Sequence, residues 1–178
     1  MGTLKTPTSA LLFSSILYRT DLIKFTDVVK LFTDNWGTNN LIFKHDFFPM
    51  LDYYYPEMGG DKKDYARIFI VSLDLVDRMQ LKAAKLIAQQ LEEKHFIGKN
   101  RTVNFDIGIL TLENLQLATS KNFTHRVYLG DGVYSDLTLI FQGEAFDKLP
   151  WSYPDYAHPE IIAFFNYLRA ILSTKIKV

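Results

Sequence analysis

The chain has 178 residues, twenty basic side chains balanced by twenty acidic ones, and no cysteine. Its 48% apolar content is that of a folded globular chain, which excludes a disordered or fibrous polymer, and the even charge gives no overall field to attract nucleic acid. The missing thiols exclude disulfides, thiolate catalysis and Cys-ligated zinc or iron–sulfur centres. The length predicts a single domain over residues 1–178.

Residues 10–18 form a continuous apolar run, too short to cross a bilayer and read as a strand buried on both faces. No small-residue cleavage site follows it, so the expected location is cytoplasmic, with no membrane partner. Over residues 21–36, Leu22, Phe25, Val29, Phe32 and Trp36 keep the spacing of one buried helical stripe. Residues 41–48 read as a second strand, and 49–66, with Pro49, Pro56, Gly59 and Gly60, as a long loop. A strong strand is predicted over Arg67–Leu75. A helix then runs from Asp77 to about Lys94, with Ala84, Ile87, Ala88 and Leu91 inward and Lys85, Gln89 and Glu92 outward. Gly98 ends that segment.

Thr102–Leu110 reads as a strand, although Asn104 and Asp106 interrupt its apolar run. Three short strands follow at 115–119, 125–129 and 134–141, the last two joined by a Gly130-Asp131-Gly132 hairpin turn. A loop holding Pro150 and Pro154 leads to a helix that Pro159 opens, with Ile161, Phe165, Leu168 and Leu172 as its stripe. The predicted fold is α+β with a mixed or antiparallel sheet. The first six elements, β-α-β-β-α-β, fit a ferredoxin-like core, extended by the hairpin region and the final helix.

Four segments carry chemistry. Asp52-Tyr53-Tyr54-Tyr55-Pro56-Glu57-Met58-Gly59-Gly60 sets rigid aromatic surface beside carboxylates, with Tyr54 and Tyr55 as ligand contacts and Glu57 able to accept from a hydroxyl or hold a hard cation. In Asn104-Phe105-Asp106-Ile107-Gly108, strand alternation puts Asn104 and Asp106 on one face, as a ligand contact or as a structural network. Lys121-Asn122-Phe123-Thr124-His125-Arg126 is a local positive focus: Lys121 and Asn122 contact an anion, Arg126 clamps it or pairs with Asp106, Asp136 or Glu57, and His125 can shuttle a proton. Pro150-Trp151-Ser152-Tyr153-Pro154-Asp155-Tyr156 brings Trp151 and Asp155 to a pocket wall or to a packed loop. There is no phosphate loop, dinucleotide fingerprint, nucleophile elbow or His-Glu-x-x-His motif.

These segments together resemble a small bacterial family catalogued as domain of unknown function 4416. Its Tyr-Tyr-x-x-Glu-Met-Gly segment is matched by Tyr54-Tyr55-Pro56-Glu57-Met58-Gly59, and its Lys-Asn-x-x-His-Arg segment by Lys121-Asn122 with His125-Arg126. Its Trp-Thr-Tyr-Pro-Asp-Tyr segment is matched by Trp151-Ser152-Tyr153-Pro154-Asp155-Tyr156. Its Asn-Leu-Asp-Pro-Gly-Tyr segment is met by Asn104-Phe105-Asp106-Ile107-Gly108-Ile109, which departs at Ile107 and Ile109; Tyr134-Ser135-Asp136 departs from an expected Tyr-Ala-Glu. The resemblance strengthens the choice of residues and implies no particular reaction.

The expected function is therefore binding of a small anionic ligand, nucleotide-like or phosphorylated, with room for a divalent cation. His125, Asp106 and Glu57 would act if the protein is an enzyme. The alternative is an interaction or homodimerisation module that uses the Tyr-rich and Trp/Tyr segments; DNA is not an expected partner.

Overall fold

The computed structural model describes residues 2–46 and 48–176. In chain order the elements are β1 (Ala10–Arg19), α1 (Phe25–Trp36), β2 (Asn40–Lys44), α2 (Leu51–Met58), a 3-10 turn (Lys62–Asp64), β3 (Tyr65–Val76) and α3 (Gln80–Lys94). There follow β4 (Phe96–Ile97), β5 (Asn100–Arg101), β6 (Val103–Leu110), β7 (Asn114–Thr119), β8 (Arg126–Gly130), β9 (Val133–Gln142), β10 (Ala145–Lys148) and α4 (Pro159–Ile176).

Eight strands form one sheet in the order β10-β9-β7-β6-β1-β3-β2, with β8 also on β9. Every pairing is antiparallel. β1 lies at the centre, between β3 and β6, and is buried along its whole length, as its unbroken apolar run requires. Alternation along the strands then makes two cores. Leu12, Ile16, Tyr18, Phe105 and Ile107 face α1 and α3, which supply Val28, Phe32, Leu81, Ala84 and Ala88. Leu11, Phe13, Phe69, Leu110 and Leu117 face α4, which supplies Ile161, Phe165, Leu168 and Leu172. Phe13 and Phe165 meet edge-on at 5.0 Å. No helix among the described residues is long and apolar enough to cross a membrane.

The structure corrects several expectations. α1 begins at Phe25, because the Arg19 carbonyl accepts from the Leu22 and Ile23 N–H groups in a separate turn. β2 ends at Lys44, and the part of its expected range that holds Phe47 lies outside the described residues. The expected loop at 49–66 instead contains α2, the 3-10 turn and the start of β3. Pro56 is tolerated inside α2 because a helix of two turns loses only one interior bond to it. Beyond α2 the chain turns through Gly60 at φ +86°, where an added Cβ would lie 2.1 Å from the Arg19 guanidinium carbon. The Arg19 Nη1 in turn donates to the Met58 carbonyl at 3.0 Å and anchors the end of α2. Gly98 turns the β4–β5 hairpin, and β10 adds a strand that the sequence reading omits.

Candidate functional site

The site begins where the sheet opens. β6 and β7 pair only at Gly108–Leu117, Ile109–Gln116 and Leu110–Leu115. Toward the start of β6 the two strands part, leaving its peptide groups on that side without a neighbouring strand. A buried backbone group must find a partner, and here α3 supplies it. Glu92 Oε1 accepts from the Phe105 N–H at 2.7 Å, and Lys85 Nζ stands 3.4 Å from the Phe105 carbonyl. Lys85 and Glu92 are seven residues apart, two helical turns, so one face of α3 presents both to the gap. Glu92 is thereby buried, contrary to its expected outward position.

A cavity of about 460 Å³ occupies this opening. Its floor is Asn104 and Asp106 of β6, with Leu117, Ala118 and Thr119 of β7 across the gap. The helix α2 forms a second wall. Its Tyr53, Tyr54 and Glu57 each reach a group on another element: Tyr53 the Lys121 ammonium, Tyr54 the Asp106 carboxylate at 3.2 Å, and Glu57 the Arg101 guanidinium. The spacing of 53, 54 and 57 is what turns all three to one helix face. The segment before α4 supplies Tyr153, Asp155 and Tyr156. A second cleft shares Glu57, Lys85, Arg101 and Ser120 with the first, and continues past the gap to Gln89, Phe96 and Lys99.

The charged groups divide into those consumed by the framework and those that are not. Arg126 donates from Nε to Asp136 at 2.8 Å, from Nη1 to the Lys121 carbonyl at 2.8 Å, and from Nη2 to the Tyr153 hydroxyl at 2.9 Å. Arg101 is shared between Glu92, at 2.9 Å, and Glu57. Arg67, behind the floor, stands 2.5 Å from Asp155, with both side chains buried. Its Nε donates to Ser15 Oγ at 2.7 Å, and its guanidinium lies 4.4 Å from the centre of the Phe69 ring. Among the described residues, Lys85, Lys121 and Asp106 line the cavity outside any salt bridge.

Two lining atoms are buried with nothing to bond. Asn104 Nδ2 and Asp155 Oδ1 have no hydrogen-bond partner among the described residues, while the buried Tyr156 hydroxyl lies beside Ser15. Arg67 faces Asp155 as an ion pair, but neither of its terminal nitrogens has an aligned acceptor. Orphans of this kind are uncommon in folded proteins and concentrate at functional sites. The low-polarity setting also shifts ionisation. Burial pushes the Tyr54 and Tyr156 hydroxyls well above the ordinary phenol value, reinforced for each by the nearby Asp106 charge. Burial likewise raises the Asp155 carboxyl, against the pull of Arg67. Glu92 is raised by burial despite Lys85 and Arg101. Burial opposes the charge on Arg101, but Glu92 and Glu57 outweigh it and hold the guanidinium above its usual value.

Of the residues singled out in the sequence, the fold brings Tyr54, Glu57, Asn104, Asp106, Lys121, Arg126 and Asp155 to this cavity. Tyr55, Asn122, His125 and Trp151 do not line it. Tyr55 is on the outer side of α2 and 37% exposed. His125 stacks on Trp151 with ring centres 4.7 Å apart, and its Nε2 faces Asp136 Oδ2 at 3.2 Å, so it reaches the cavity only through Asp136. The Trp151 indole donates to the Leu137 carbonyl at 2.8 Å. For Arg126, the alternative of an ion pair with Asp136 is the one found. Sequence reasoning passed over Lys85 and Arg101 as site residues, because their surroundings looked like solvated helix and turn; Asp136 entered it only as a partner for Arg126. No group of three or more His, Asp or Glu side chains suited to a metal ion occurs among the described residues.

No curated protein and no solved structure matches the chain. A family model described as Domain of unknown function (DUF4416) matches residues 8–171. That match covers the sheet, α1 to α3, most of α4 and every residue lining the cavity, and the chain belongs to this family.

Proposed function

We propose that the protein binds a small anionic, phosphorylated ligand in the cavity at the β6–β7 opening, with the anion held by Lys85 and Lys121. The observation that carries this reading is a pair of lysine ammonium groups that line one cavity outside any salt bridge. Arg101 and Arg126 form salt bridges with Glu57, Glu92 and Asp136, whereas Lys85 and Lys121 form none among the described residues. A phosphoryl group can accept from both ammonium groups, and the Thr119 and Ser120 segment of the wall adds hydroxyls that can donate to it. In this reading Arg126 positions the Lys121 loop and does not touch the ligand. Asp106 is the carboxylate best placed to accept from a ligand hydroxyl, or to share a divalent cation with a bound phosphate.

The scaffold we infer is a ferredoxin-like core. The order β6-β1-β3-β2, all antiparallel, with α1 and α3 on one face, supports it. The second reading, an interaction or homodimerisation module, draws less support, because Tyr54, Tyr153, Asp155 and Tyr156 turn into the cavity and not toward a partner.

The test is thermal unfolding with inorganic phosphate and pyrophosphate. At a hundredfold the dissociation constant, a ligand adds about 2.7 kcal/mol. Lys85→Ala and Lys121→Ala should each remove most of the resulting shift, while Lys82→Ala, whose ammonium pairs with Asp131 elsewhere, should keep it. A shift that survives in the Lys85→Ala, Lys121→Ala double variant would refute the assignment.

A further inference from the structure

We infer that the phosphorylated ligand is a polyol phosphate, a sugar phosphate in chemical class, with its hydroxyls on Asn104, Asp106, Asp155 and Tyr156; this rests on the anion site proposed above. The cavity lining carries two chemically different sets of groups. One is the ammonium groups of Lys85 and Lys121, neither in a salt bridge among the described residues. The other is Asp106, a carboxylate outside any salt bridge among the described residues, with the buried Asn104 Nδ2 and Asp155 Oδ1, which have no hydrogen-bond partner among them, and the buried Tyr156 hydroxyl. A ligand that is only an anion leaves this second set unsatisfied.

The donor and acceptor types decide what fits. Asp106 and ionised Asp155 only accept, Asn104 Nδ2 only donates, and the Tyr156 hydroxyl does either. Neighbouring groups of opposite type suit hydroxyls, because each hydroxyl donates one bond and accepts others with a freely rotating hydrogen. These atoms come from two elements, β6 and the 153–156 segment. They line one cavity. A planar base offers fixed donors and acceptors within one plane, whereas a chain of hydroxyls can meet groups that arrive from two elements. The Tyr54 and Tyr153 rings give apolar surface to the carbon skeleton. A site built to bond hydroxyls rejects analogues that lack them, because its own buried groups are then left unpaired.

The experiment is calorimetric titration of the full chain with a hexose 6-phosphate, a pentose 5-phosphate, the matching free sugars, inorganic phosphate and a ribonucleoside 5′-monophosphate. The sugar phosphates should bind at least tenfold more tightly than inorganic phosphate, and than the free sugars. Asn104→Leu and Asp106→Asn should each bring the sugar phosphates to within about twofold of inorganic phosphate measured on the same variant, the outcome expected if these side chains meet hydroxyls. Two variants are used so that misfolding of one does not decide the result. Inorganic phosphate that binds through Lys121 with no gain from the sugar overturns this inference and leaves the anion site standing. A nucleoside monophosphate tenfold tighter than the pentose phosphate overturns it in favour of base recognition. No binding by any phosphate overturns both.

Discussion

Asn104→Leu separates a ligand site from a structural network, because the two make opposite predictions for the free protein. Asn104 is 4% exposed near the start of β6, and its Nδ2 has no partner among the described residues. An unsatisfied buried donor costs on the order of 1–3 kcal/mol, and an apolar side chain of similar size removes that cost. The substitution keeps the strand's geometry and places apolar surface beside Leu117 and Ala118 on the cavity wall. Part of the benefit is lost because Leu then lines a space shared with Asp106 and Lys85. We therefore expect a net stabilisation of about 1 kcal/mol, at the lower end of that range. For a domain of this length, that raises the unfolding midpoint by roughly 2–4 °C. Urea unfolding monitored by Trp36 and Trp151 fluorescence, with a calorimetric midpoint, measures it. A loss of 1 kcal/mol or more would refute the reasoning, since it would mean that Asn104 holds the fold together and is not reserved for a ligand.

Three other substitutions probe the frame around the site. Arg126→Ala leaves Asp136, 2% exposed, with His125 and the Thr138 hydroxyl but no guanidinium, and should cost about 3 kcal/mol in urea unfolding. Arg126→Lys should recover little, since one ammonium cannot serve Asp136, the Lys121 carbonyl and Tyr153 together. A stable Arg126→Ala that has lost phosphate binding would instead make Arg126 an anion contact. Gly108→Ala puts a Cβ 2.4 Å from the Phe13 ring and 2.6 Å from the Gln116 carbonyl, at the last β6–β7 pair before the opening. It should destabilise by about 1–3 kcal/mol, and a neutral result would show that the sheet yields there. Glu92 titrates above its unfolded value because burial favours its neutral form, so its contribution is full below that value and lost as pH rises through the folded one. Glu92→Gln keeps an acceptor for the Phe105 N–H and cannot titrate. Its stability relative to the parent should therefore climb as pH rises from the ordinary glutamate value through the raised value of Glu92, whatever constant offset comes from the weaker Arg101 contact. A flat or falling difference would refute the assignment.

The sheet and the long helices were legible because each depends on a periodic apolar pattern. The run at 10–18 could only be a central strand, and the stripes of α1, α3 and α4 mark the two faces that the sheet must cover. α2 was hidden because Pro56, Gly59 and Gly60 signal a loop, while a two-turn helix pinned by Arg19 to the Met58 carbonyl can carry a proline. The site was legible in part for a different reason. Asn104 and Asp106 contradict the pattern of their own strand, and such contradictions are where function accumulates. Lys85 and Glu92 contradict nothing: on a surface helix they are ordinary polar positions. Their role follows from the place where β6 leaves β7, three residue pairs after pairing begins, and no local pattern encodes that parting. Once the strands part, the Phe105 peptide needs partners, α3 must supply them, and the side chains that do so become the cavity's wall. The same opening that creates the unpaired backbone thus delivers a cation to the ligand space, so the anion site and the break in the sheet are one structural feature.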